Sequence, residues 1–182
     1  MKIEDTPLHQ VKLIKPGTYT DQRGEFLETY RTHIFKEHGL DIEFVQDNIS
    51  RSVRHTIRGL HYQLPPASQV KLVMAVHGEI LDVAVDMRQN SPQFGSVFSA
   101  VLSAENRHMM LIPTGFAHGF VVRSEEATIY YKCNDYYNKE LERGIRWNSP
   151  ELDIDWNVPD PILSDKDRNL PLFSELDESD MF

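Results

Sequence analysis

The sequence predicts a mainly β fold, an antiparallel jelly-roll barrel with a few short helices. Three observations predict it. Short apolar runs recur at roughly eight- to twelve-residue spacing, as in sandwiches and barrels. Several of them alternate apolar with polar residues, the period of a strand with two unlike faces. Ten prolines and nine glycines punctuate the runs and break up helical patterning. A chain of 182 residues is long enough to bury a sizeable core and fits one domain, residues 1–182.

Taken in order, residues 8–15 (LHQVKLIK) alternate well enough for a first strand, closed by Pro16-Gly17. Asp21-Gln22-Arg23-Gly24 is a turn signal and EFLETYR a second strand. Thr32 to His38 suits a short helix, with Thr32 as N-cap and Gly39 as its stop. Residues 43–52 (EFVQDNISRS) read as a strand that is polar in its second half. In the next clear strand Val70, Leu72, Met74 and Val76 share one face and Lys71, Val73 and Ala75 the other. His77-Gly78-Glu79 turns the chain into ILDVAVDMR, where Leu81, Val83 and Val85 oppose Asp82, Ala84 and Asp86, a half-buried pattern. Strands follow near 96–102 and 107–112, then in PTGFAHGFVV and ATIYYKC. Beyond Tyr137 the pattern turns irregular, Ser164 caps a short helix through DKDRNL, and the acidic tail ELDESDMF is expected to fray.

The net charge of −9 and pI near 5.3 argue against a nucleic-acid or anionic-membrane partner, both of which call for a basic surface. A few cations focused in a cleft can still hold an anionic small ligand. No apolar run is long enough to span a bilayer, and MKIEDTPLHQ has no apolar core, so neither a membrane segment nor a secretory leader is expected. The single cysteine, Cys133, fits a reducing, cytoplasmic setting.

Chemistry-bearing residues concentrate in Ile57–Lys71, where Arg58, His61 and Lys71 stand among chain-bending Gly59, Pro65 and Pro66. His61 and Arg58 have opposite strand parity, so a bulge at Gly59 is needed to bring both to one side. His118 shares parity with Phe116, Phe120 and Val122, and Tyr131 with Ala127, Ile129 and Cys133, which points both into the barrel. A buried phenol must find a polar partner or meet a ligand. Pro113-x-Gly115-x-x-His118 is the second-motif pattern of cupins, and Arg58-Gly59-Leu60-His61 falls where their first motif would sit. Many cupins bind a metal there, but Gln63 stands where a second histidine would be and no glutamate follows, so no catalytic metal is expected.

The motifs DQRGEFLE, FVQDNISRS, RGLHYQLPP, QVKLV, GEILDVAVDMRQNSPQFG, PTGFAHGF, YKCNDYY, ERGIRWNSP and LSDKD, in that order, resemble the dTDP-4-dehydrorhamnose 3,5-epimerases over roughly residues 7 to 173. The departures are small: Arg54-His55-Thr56 replaces a commoner Lys-Gly-Thr, and Thr114 fills a variable slot. The resemblance implies a cupin-like barrel without metal or other cofactor, usually a homodimer in which an N-terminal strand crosses to the neighbour. It implies a dTDP-4-keto-6-deoxy-sugar substrate, with His61 as general base, Asp167 as its acidic partner and Tyr131 as acid. Substrate contacts would fall on Arg23, Glu28, Gln46, Asn48, Arg58, Lys71, His118, Tyr137, Glu142 and Lys166, with Arg23 and Glu28 serving either their own pocket or the neighbour's.

Physical chemistry agrees with these implied roles. Removing a proton α to a ketone takes an adjacent base and a stabilised enolate oxygen. A histidine, with a reference pKa of about 6.5, can take and return a proton near neutrality. Lys71 is a compact charge for the enolate, and Arg23, Arg58 and Lys166 suit a diphosphate. The competing readings are an epimerase inverting one centre only, a metal-dependent cupin enzyme, and a binding module without turnover.

Overall fold

The computed structural model describes residues 1–182. The chain forms β1 (Lys2–Asp5), β2 (Lys12–Lys15), β3 (Thr18–Asp21), β4 (Gly24–Leu27) and helix α1 (Thr32–Glu37). β5 (Gln46–Val53), β6 (Ile57–Gln63), β7 (Lys71–His77), β8 (Glu79–Asp86) and β9 (Val97–Ser103) follow. β10 (Met109–Ile112), β11 (Phe116–Val122), β12 (Glu126–Cys133), β13 (Glu142–Gly144) and helix α2 (Asp165–Arg168) complete the main elements. One sheet has the order β1-β2-β10-β7-β12-β5 and the facing one β13-β6-β11-β8-β9, with antiparallel neighbours throughout; β3 and β4 pair only with each other. This is the antiparallel jelly roll the spacing of the runs predicts.

The chain crosses between sheets at corners. At Gly78, between β7 and β8, φ is +72° and a Cβ would meet the Glu126 carbonyl oxygen at 2.1 Å, so no other residue fits without rearrangement. Between the sheets lies an apolar cluster including Val73, Ala75, Ile80, Ala84, Phe116, Phe120 and Ile129. A second cluster, with Ile57, Tyr62, Leu81, Val83, Val85 and Trp156, covers the outer face of the five-stranded sheet. A third, with Phe35 of α1, Leu72, Met74, Met109 and Leu111, covers the outer face of the other.

These outer layers correct the reading of β8 as half-buried. Every residue from Ile80 to Asp86 is buried, because the chain after β13 lies over the face that an open sandwich would expose to water. Further readings change. β1, β3 and β13 were not seen in the pattern. Helix α1 is capped by Arg31 without a side-chain hydrogen bond, so Thr32 is its first residue and not its N-cap. Ser164 does cap α2, its hydroxyl accepting from the Asp167 amide at 3.0 Å. The tail is not frayed: Met181 and Phe182 pack on the second cluster, and the Phe182 amide donates to the Met87 carbonyl. No helix is long and apolar enough to cross a membrane.

Candidate active site

Gly59, where the sequence allowed a bulge without showing one, does host it. His118 of β11 stands opposite His61 of β6, while Phe120 stands opposite Arg58, so β6 carries one extra residue between the two pairs. Gly59 has φ +118°, and a Cβ there would lie 2.5 Å from Gly119 Cα and 2.7 Å from the His118 carbonyl oxygen. The bulge brings Arg58 and His61, of opposite parity in a regular strand, into one cleft.

That cleft opens between the sheets as two lobes that share His61, Lys71 and Tyr131. One, of about 300 Å³, is lined also by Ser50, Arg58, His118, Phe120, Ile129, Ser164, Lys166 and Asp167. The other, of about 320 Å³, is lined also by Gln46, Asn48, Tyr62, Gln63, Gln69, Cys133, Tyr137 and Glu142. Eleven of the thirteen residues singled out from the sequence therefore surround one space, although they come from six strands, a loop and a helix.

His61 Nε2 donates to Asp167 Oδ1 at 2.6 Å across 106 positions of sequence. In neutral His61 this fixes the proton on Nε2 and leaves Nδ1 as the nitrogen that can take another. Burial alone would push the Asp167 carboxyl up, but the His61 ring, the Ser164 hydroxyl and the Lys166 charge together hold it below its usual value. Glu142 is similar: burial raises it, while Lys166 Nζ at 2.5 Å and the Tyr137 hydroxyl at 2.8 Å outweigh that and lower it. Carboxylates and cations here are thus interlocked, with Lys166 tying the helix that carries Asp167 to β13.

Lys71 and Tyr131 shift the opposite way. Burial of the Lys71 ammonium lowers its pKa, with no carboxylate in contact to offset the loss of water. Burial beside Cys133 raises that of Tyr131, so its phenol keeps its proton at neutral and moderately alkaline pH. A poorly compensated cation and a protonated phenol in one cleft suit a reaction that develops negative charge and then needs a proton.

The smaller contacts place the remaining residues. Arg58 Nε donates to Ser52 Oγ at 2.9 Å. Gln46 Nε2 donates to Asn48 Oδ1 at 3.0 Å, and Gln46 Oε1 accepts from the Tyr137 amide at 3.1 Å. Gln63, at the position of a cupin metal ligand, is occupied otherwise: its Nε2 donates to the Ala67 carbonyl at 2.6 Å and its Oε1 accepts from the Asn138 amide at 2.7 Å. No three His, Cys, Asp or Glu side chains gather as a metal-binding group.

Arg23 and Glu28 are the two residues the structure does not bring to the cleft. Arg23 sits at the turn of the β3–β4 hairpin, its Nε 3.0 Å from Asp21 Oδ2, and Glu28 pairs with Arg31. The hairpin leaves Tyr19 and Phe26 exposed at 69% and 66% and is tied to the barrel by an ion pair between Glu25 and Arg107.

Sequence reasoning missed Asp82 and Ser50. Asp82 is fully buried, its Oδ1 accepting from His118 Nε2 at 2.7 Å while its Oδ2 has no partner. Ser50 lines the cleft with its hydroxyl buried and unpaired, a group that a ligand hydroxyl or phosphate would satisfy. The signal for Asp82 was an acid within an otherwise apolar run, which alternation assigned to a polar face.

The chain matches, over residues 5–175, the family model described as dTDP-4-dehydrorhamnose 3,5-epimerase. It is 47% identical to the dTDP-4-dehydrorhamnose 3,5-epimerase of Shigella flexneri, covering 97% of this chain and 98% of that one. The enzyme of the same name from Pseudomonas aeruginosa is 50% identical, over 97% and 98%. Among solved structures, the dTDP-6-deoxy-D-glucose-3,5-epimerase of Legionella pneumophila, in complex with dTDP-4-keto-L-rhamnose, superposes with a TM-score of 0.95 at 43% identity, over 99% of this chain and 96% of that one. With motifs, topology and whole-chain similarity in accord, this chain belongs to the dTDP-4-dehydrorhamnose 3,5-epimerase family.

Proposed function

We propose that the protein is an isomerase that inverts C3 and C5 of dTDP-4-dehydro-6-deoxy-D-glucose, giving dTDP-4-dehydro-L-rhamnose for dTDP-L-rhamnose biosynthesis. The observation that carries this reading is the His61–Asp167 pair in one cleft with Lys71 and Tyr131. Both carbons lie α to the C4 ketone, so each inversion needs only a proton removed from one face and one supplied to the other.

His61 Nδ1 takes the proton, and Asp167 steadies the imidazolium that results. The C–H electron pair moves into an enolate whose oxygen meets the Lys71 ammonium, an interaction strengthened by exclusion of water. Tyr131 delivers its proton to the opposite face of the carbon, and solvent restores the protonation of both residues. One proton leaves and one arrives, with no change of oxidation state, so the chemistry calls for no redox cofactor.

Binding follows from the lining. Arg58 and Lys166 supply cations for the diphosphate. Gln46 and Asn48 offer neutral amide donors and acceptors, Tyr137 and Glu142 border the same lobe, and His118 contacts the sugar beside His61. The hairpin with Arg23 and Glu28 points to a homodimer. It pairs with no other strand of its own chain, and edge strand β5 exposes Ile49 and Val53. In that dimer Arg23 and Glu28 serve the neighbouring cleft. A cytoplasmic location accords with the nucleotide-sugar substrate and with the single buried thiol of Cys133.

The test is incubation with dTDP-4-dehydro-6-deoxy-D-glucose followed by a rhamnose-forming reductase and NADPH. dTDP-L-rhamnose is the expected product. A product inverted at C5 alone or C3 alone would replace this reading with that of a single-centre epimerase.

A further inference from the structure

β13 is a three-residue edge strand whose only sheet partner is β6, and backbone bonds from Leu60 to Ile145 and from Leu64 to Leu141 continue that pairing on either side. In that pairing Glu142 stands opposite Gln63, Arg143 opposite Tyr62, and Gly144 opposite His61. Alternation then gives the two strands a division of labour. His61 and Glu142 point into the cleft, while the ring of Tyr62, a residue that also borders the second lobe, packs in the outer cluster against Phe182.

Residues 165–182 hold this strand pair from both faces. On the cleft side Asp167 bonds His61, and Lys166 pairs with Glu142. The chain then runs alongside Gly144–Arg146, where the Pro171 carbonyl accepts from the Arg146 amide at 2.7 Å and the Leu170 carbonyl from Arg146 Nε at 2.8 Å. On the outer side Asp180 takes both members of the opposed pair: its Oδ1 accepts from Arg143 Nε at 2.6 Å, and its carbonyl accepts from the Tyr62 hydroxyl at 2.6 Å. Phe182 packs on the Tyr62 ring at 6.0 Å and is pinned to the chain after β8, its amide donating to the Met87 carbonyl at 3.1 Å and its carbonyl accepting from the Gln89 amide at 2.9 Å. These contacts lie on the far side of the sheet from the substrate.

We propose that Asp180 and Phe182 form a clasp that positions His61 and Glu142, with Asp180 as the positioning residue that locks the register and tilt of β13 against β6. The clasp acts through its neighbours: Asp180 holds Tyr62 and Arg143, which are joined through the backbone to His61 and Glu142. A misplacement of about 1 Å at the base is enough to cost about 100-fold in rate, so a contact remote from the substrate can govern turnover. The catalytic part of this inference rests on His61 as the base; the positioning part does not.

The experiment uses the full chain with Asp180→Ala, Asp180→Asn, and Glu178→Ala as control, since Glu178 enters the clasp only through its carbonyl. Two readouts are taken. Histidine-selective proton–carbon NMR of the ring signals, assigned through His61→Asn and His118→Asn, reports geometry without turnover. Steady-state kinetics reports catalysis. In Asp180→Ala the His61 signal is expected to shift while that of His118 stays, and kcat to fall about tenfold with KM within about twofold. Asp180→Asn, which can still accept from Arg143, restores most of both, and Glu178→Ala changes neither. An unmoved His61 signal, or a kcat within twofold of the parent, overturns the clasp. So does a uniform disturbance of both histidine signals that Asp180→Asn fails to correct, because that is loss of fold. If the parent protein itself shows no turnover the catalytic reading fails, and the His61 signal still decides the clasp.

Discussion

His61 and His118 stand directly opposite each other on neighbouring strands, and each gives its Nε2 to a different carboxylate, Asp167 and Asp82. The two pairs are not equivalent. The His61 side chain is 24% exposed and borders both lobes of the cleft, whereas that of His118 is 10% exposed and its aspartate fully buried. The more open ring has a face for substrate; the other is held as part of the wall. Of two histidines with similar hydrogen bonds, this difference favours His61 as the proposed base.

Asp167→Asn tests the partner of that base. The amide keeps the size of the side chain but removes the charge that steadies an imidazolium, so kcat is expected to fall by about 100-fold or more. Stability follows pH with a defined sign. The folded-state pKa of Asp167 is lowered, so its contribution is complete above the unfolded value of about 3.9 and is lost as pH falls through the folded value. Urea denaturation of parent and variant should show a gap at pH 7 that closes below about pH 4.

Lys71→Met separates stability from activity. Burial lowers the Lys71 pKa, so its charged form is disfavoured in the folded state, and that cost is present below the folded pKa and relieved as pH rises toward the unfolded value near 10.4. Replacing the ammonium by an apolar chain of similar length removes the cost. The variant is expected to melt at or above the parent temperature at pH 7 while losing turnover by about 100-fold or more. A clear drop in melting temperature would show instead that Lys71 is held by favourable contacts.

Arg88→Ala should do the reverse. Asp86 is fully buried and takes two bonds from the Arg88 guanidinium, at 2.8 and 2.7 Å, one from the Arg88 amide at 3.0 Å and one from Ser91 at 2.6 Å. Burial pushes its carboxyl up, but these partners outweigh that and lower it. Without Arg88 the charge is left buried and unpaired, a loss of about 3–5 kcal/mol, or roughly 10 °C in melting temperature. Arg88 lies outside the cleft, so kcat per folded molecule measured well below the transition should match the parent.

The alternation in β11 and β12 placed His118 and Tyr131 on inward faces, as the structure has them, because period-2 patterning survives wherever one face is packed. In β7 it separated Lys71 from Leu72 and Met74 without showing which face turns inward, since both are packed. Three features were not legible. A bulge adds a residue without altering composition, so Gly59 marked a place where Arg58 and His61 could come together but could not show that they do. Asp82 shares a face with Ile80 and Ala84, which pack between the sheets. The pattern could not show that this face turns inward, because the more apolar face of Leu81, Val83 and Val85 is covered by chain from far along the sequence. The hold of Asp180 on Arg143 and Tyr62 joins residues 37 and 118 positions apart, and a tail rich in acids reads as solvated when its partners are so distant. Asp167 was assigned through its motif alone, since its separation from His61 is of the same kind.

Deuterium exchange read by proton NMR tests the central claim most directly. The parent protein and His61→Ala are incubated with dTDP-4-dehydro-6-deoxy-D-glucose in deuterated buffer, without reductase. Label is expected at both C3 and C5 with the parent, and a loss of exchange by at least about 100-fold with His61→Ala. Exchange at the parent rate in the variant would contradict His61 as the base, and absence of label in the parent would contradict epimerisation itself.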